Sequence, residues 1–70
     1  MLTAEQEKTL LELGFRYNLL SQYWKKHYRK RGYIVVYDYS DYYDNYYDEM
    51  VKTCKEAQHD LAILREKGIV

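Results

Sequence analysis

The chain has no proline, one cysteine, three glycines and no excess of either charge, eleven lysines and arginines balancing eleven aspartates and glutamates. Without proline or a low-complexity run there is no polyproline ligand and no stiff linker, so the 70 residues read as one small domain, 1–70. The lone thiol, Cys54, excludes an intrachain disulfide framework and a multi-thiolate metal site made by one chain. It agrees with a reducing compartment, and a cytoplasmic protein is expected. The few glycines leave no Gly-rich phosphate loop. No apolar run approaches the roughly 20 residues that span a bilayer. The start, MLTAEQEKTLLEL, lacks the basic-then-apolar order of a secretory signal, so no membrane partner is expected. A net charge of zero gives no global field to attract nucleic acid, and any steering must come from local patches. A chain this short buries a small share of its surface, and dimerisation is the common remedy.

What is abundant is tyrosine. Nine of the ten tyrosines fall in residues 23–47, YWKKHYRKRGYIVVYDYSDYYDNYY, which begins basic, passes through a β-branched centre and turns acidic from Asp38. The flanks read as helix. Thr3 followed by Gln6 is a capping-box signature, and a first helix is expected over 4–31, with Gly14 its weak point and Gly32 its stop. The cations from Lys25 to Arg31 would then suit the negative end of the helix dipole. At helical spacing this segment carries two apolar stripes, one through Leu10, Leu13, Tyr17, Leu20 and Trp24, the other through Leu11, Phe15, Leu19 and Tyr23.

A second helix is expected over 41–67. Its seam, Tyr43, Tyr47, Met50, Cys54, Ala57, Leu61 and Leu64, steps alternately four and three residues, while Lys52, Lys55, His59 and Glu66 lie opposite. Gly68 marks its end. The fold class these patterns predict is mainly α: an antiparallel two-helix hairpin with a short extended linker, completed as a homodimeric four-helix bundle. The second stripe, Leu11, Phe15, Leu19 and Tyr23, is the expected dimer interface. Tyr33 to Tyr37 has strong strand preference, and if extended it needs backbone partners from a second copy or a target edge.

Catalytic patterns are lacking. There is no serine elbow and no two-histidine metal spacing. Cys54 and His59 are five apart and diverge on a helix, His27 reads as a packed or dipole-stabilised histidine, and the ridge of Asp41, Asp44 and Asp48 spreads its carboxylates too far to surround a cation. No enzyme, metal or cofactor is expected. Tyrosine gives stiff, amphipathic contact area, and the end of the hairpin gathers Tyr33, Tyr37, Tyr39, Tyr42 and Tyr46 with Asp38, Asp41 and Arg31 as rim charges. The first functional expectation is therefore a non-enzymatic module that binds another protein through this tip, as an inhibitor or adaptor of the kind that phages and mobile elements use. The alternative is nucleic-acid binding through Lys25, Lys26, Arg29, Lys30 and Arg31 with stacking tyrosines.

Overall fold

The computed structural model describes residues 2–38, 43–45 and 52–70, the middle three by backbone alone. Helix α1 (Ala4–Leu13) opens with the expected capping box: Thr3 Oγ1 accepts from the Gln6 N–H at 3.1 Å, and Gln6 Oε1 accepts from the Thr3 N–H at 2.9 Å. It closes after ten residues, because Gly14 takes the left-handed conformation at φ 99° and its N–H turns back to Leu11 O at 3.0 Å.

Four antiparallel strands follow in a meander: β1 (Arg16–Asn18), β2 (Tyr23–His27), β3 (Tyr33–Tyr37) and β4 (Tyr43–Asn45), in the order β1-β2-β3-β4. Trp24 pairs with Tyr17 on one side and Val36 on the other, and Lys25 pairs with Arg16 and Val35. The β1–β2 loop is held by Asn18, whose Oδ1 accepts from the Ser21 N–H and whose carbonyl accepts from the Gln22 N–H. The β2–β3 turn closes with Tyr28 N–H donating to Gly32 O at 2.8 Å, and Arg29 adopts φ 58° within it. A second helix, α2 (Lys55–Glu66), completes the chain, and Gly68 at φ 71° turns it so that Ile69 folds back into the core.

Helices α1 and α2 pack on the same face of the sheet. Leu10 of α1, Phe15 after it, Ala57, Leu61 and Leu64 of α2 and Ile69 form one buried cluster with Trp24, Tyr28, Ile34 and Val36. Since neighbours along a strand point to opposite faces, Tyr23, Lys25 and His27 of β2 and Tyr33, Val35 and Tyr37 of β3 belong to the other, outer face. No helix among the described residues is long and apolar enough to cross a membrane.

The fold is thus α+β, and the mainly α hairpin of helices 4–31 and 41–67, with the four-helix bundle built on it, is overturned. Gly14 acts as a C-cap and not as a weak point within a longer helix. The aromatic residues beyond it favour strand. Trp24 and Tyr28 fit the apolar step of four, yet they equally fit a step of two through Lys26, which is how they are used. Tyr33 to Tyr37 finds its backbone partners in β2 and β4 of the same chain, so neither a second copy nor a target edge is needed. The stripe of Leu11, Phe15, Leu19 and Tyr23 does not exist as one surface: Phe15 is fully buried in this chain's own core, Leu11 sits on α1, Leu19 in the β1–β2 loop and Tyr23 on β2. Of the second seam, Ala57, Leu61 and Leu64 do pack inward on α2, Cys54 is half-buried at its start, Tyr43 lies in β4, and Tyr47 and Met50 fall outside the described residues.

These placements separate core from surface in a way that can be measured. Phe15→Ala should cost about 3–5 kcal/mol, enough to unfold a domain of this size. Leu19→Ala, at a side chain 82% exposed, should stay within about 0.5 kcal/mol. Urea unfolding followed by circular dichroism distinguishes the two; equal losses at both positions would restore the shared interface.

Candidate nucleic-acid interface

The inner face holds one polar cluster. Asp60, 2% exposed on α2, accepts on Oδ2 from Lys26 Nζ at 2.6 Å and from Tyr28 Oη at 2.7 Å, and its Oδ1 lies 3.1 Å from His59 Nδ1. Lys26 also reaches Glu56 at 3.0 Å. The carboxylate is buried, but both of its oxygens have partners, which is the condition under which a buried charge is tolerable. The cluster ties α2 to β2. Burial draws the Lys26 pKa down, yet its hydrogen bonds to Asp60 and Glu56 outweigh this and leave it above the ordinary lysine value. Burial, and then the bond to Asp60, push the Tyr28 hydroxyl far above the ordinary tyrosine range.

The outer face is different in kind. Residues 13–37 contain no acidic residue. The cations of this run divide between the two faces and the turn: Lys26 goes inward to Asp60, Arg16 and Lys25 face outward as directly paired neighbours, and Arg29, Lys30 and Arg31 are exposed in the β2–β3 turn. Among the described residues Arg16, Lys25, Arg29 and Lys30 enter no ion pair. Like charges directly opposite in a ladder are unfavourable, so the Arg16–Lys25 pair is not explained by stability. Arg31 donates to Thr53 Oγ1 at 2.6 Å. None of these cations sits at a helix C-terminus, so the dipole that would have explained them is not there.

Aromatic rings lie among the charges. Lys25 Nζ stands 4.1 Å from the Tyr33 ring centroid, His27 and Tyr33 are 5.6 Å apart, and Tyr23 meets Tyr37 at 6.1 Å in a T-shaped contact. An open groove of about 390 Å³ lies along β1 and β2, lined by Arg16, Asn18, Tyr23, Lys25 and His27 of the outer rows and bordered also by Gly14, Tyr17 and Lys26. By register the row Arg16, Lys25, Val35 continues to Asp44 of β4, so the basic character belongs to β1 and β2.

Of the residues expected in a tyrosine tip, Tyr33 and Tyr37 lie on the outer face, and Arg31 lies in the turn beyond it. Asp38 lies past the end of β3, where it makes long contacts with the Leu2 N–H at 3.5 Å and Tyr17 Oη at 3.4 Å. Tyr39, Tyr42, Tyr46 and Asp41 fall outside the described residues. Of the five expected nucleic-acid cations, Lys26 is withdrawn by Asp60 and the other four are at the outer face or the adjoining turn. Arg16, Asn18 and His27 were not anticipated as part of a surface; the acid-free run combined with two-residue alternation is the signal that would have found them. No family model matches the chain, and no curated protein or solved structure matches it. What the face can bind has to be read from its own chemistry.

Lys26 and Tyr28 hold their protons more tightly folded than unfolded. The stability they contribute is complete below their ordinary values of 10.5 and 10.0 and is lost as pH rises through the raised folded values. The urea midpoint should therefore stay level up to about pH 9 and fall above about pH 10. Tyr28→Phe should lower stability by about 1.5–3 kcal/mol at neutral pH. It should leave unchanged the tyrosinate absorbance that the folded protein develops on alkaline titration, since Tyr28 does not ionise until the fold is lost.

Proposed function

We propose that the protein is a non-enzymatic, cytoplasmic nucleic-acid-binding module that holds its ligand on the outer face of the sheet. The observation that carries this reading is the acid-free run of residues 13–37, folded so that Arg16, Lys25, Arg29 and Lys30 meet no carboxylate among the described residues while tyrosines share the face. Cations that meet no carboxylate among the described residues provide the local field that phosphate binding requires. Aromatic rings between them offer stacking surfaces that tolerate any base. A protein-binding role, as an inhibitor or adaptor, is the second reading. It is favoured by Leu19 and Leu20, 82% and 98% exposed side by side in the β1–β2 loop.

Salt separates the two. If about four phosphates are neutralised, affinity for a labelled oligonucleotide should fall about fifty-fold between roughly 50 and 200 mM salt, and Lys25→Ala with Arg29→Ala and Lys30→Ala should remove most of that dependence. Fluorescence anisotropy measures both. Absence of binding at low salt, or binding indifferent to salt and to the triple change, would transfer the role to the leucine loop.

A further inference from the structure

We propose that the groove over β1 and β2 is a subsite for one unpaired nucleotide, so that the ligand is a single strand and not a duplex; this rests on the nucleic-acid reading above. Three features of the groove specify the nucleotide. At one end Asn18 and Tyr23 are cross-strand partners. The Asn18 amide is oriented by the loop it holds, because its Oδ1 accepts from the Ser21 N–H at 2.9 Å. Its Nδ2 is thereby left as a donor for which no partner is found among the described residues, available to the hydrogen-bond acceptors that every base carries on its edge. Tyr23, held by its T-shaped contact with Tyr37 at 6.1 Å, supplies the ring on which that base stacks.

Arg16 and Lys25 form the next outward-facing row, two residues along the strands and so about 7 Å away. That is the scale of a nucleotide from base to phosphate. An anion between these two like charges would relieve their repulsion, which nothing else among the described residues does. His27, one row further along β2, borders the groove at its cationic end.

Size argues the same way. At about 390 Å³ the groove is near the small end of ligand sites. That volume matches one nucleotide. A base in a duplex has its face covered by its neighbours and its edge paired, so neither the Tyr23 ring nor the Asn18 donor could reach it as this geometry requires.

The test compares three labelled probes matched in phosphate charge: a deoxythymidine single strand, an abasic deoxyribose-phosphate strand of the same length, and a duplex with half as many base pairs. The single strand should bind at least ten-fold tighter than either of the others. Tyr23→Leu and Asn18→Asp should each reduce that preference to three-fold or less. Asn18→Asp keeps the oxygen that holds the Ser21 N–H, so the loop survives while the donor is lost; urea unfolding confirms that each variant is folded. Lys25→Ala should weaken all three probes together. In NMR spectra the Asn18 side-chain amide should shift with the deoxythymidine strand and stay in place with the abasic one. If all three probes bind equally with the expected salt dependence, the nucleotide subsite is wrong while nucleic-acid binding stands. If none binds, both fall together.

Discussion

With α1 and α2 packed against one face of the sheet, alternate residues of β2 are sent into different surroundings. The rest of the molecule follows from this. Lys25 and Lys26 are adjacent in sequence and identical in chemistry, yet one stands over a tyrosine ring on the outer face and the other is tied to a buried carboxylate at 2.6 Å. Had the register slipped by one residue, Lys25 would have been forced against Asp60 and Lys26 turned outward, with Tyr23, Val35 and Tyr37 replacing Trp24, Ile34 and Val36 in the core. The Asp60 cluster therefore does more than join α2 to β2. It accepts a cation and a phenol from the inner row of one register alone, so it helps to select that register as well as to stabilise it.

The two faces also differ in how charge is handled. Inward, one buried acid is matched to one cation and one hydroxyl, a closed arrangement in which removing any member leaves the others exposed to a low dielectric. Outward, over β1 and β2, Arg16 stands beside Lys25 with aromatic rings near them and no ion pair among the described residues. A protein of zero net charge can hold such a basic surface because its acids are placed elsewhere in the chain: Glu5, Glu7 and Glu12 on α1, and the remainder from Asp38 onward. Neutrality of the whole conceals a separation of charge within it.

Part of this was legible in the sequence. The capping box of Thr3 and Gln6, the start of α1, the inward face of α2 through Ala57, Leu61 and Leu64, and the turn at Gly68 all rest on local chemistry, and local chemistry decided them. The strand preference of residues 33–37 was also visible. What could not be read was the middle of the chain, because aromatic and leucine residues three and four apart match a helix and a strand with equal ease when the partner strand is unknown. Gly14 was the residue that decided between them. As an interior glycine it costs about 1 kcal/mol, but as a left-handed cap it ends the helix. Once β2 is a strand, the basic run loses its helix dipole and Arg16 gains Lys25 as a neighbour. The candidate face was therefore hidden by the same misreading that hid the fold.

The brevity of β1 has its own consequence. An open sheet border is a template on which further chains can assemble, and long, flat, apolar borders are where fibrils start. Here the border has three residues, Arg16–Asn18, all exposed, and the first is a cation. A strand added there would find few hydrogen bonds to offset its ordering, and an identical chain would set its own Arg16 at the same edge. The β1 edge thus offers few hydrogen bonds to an added strand and sets a cation at its start.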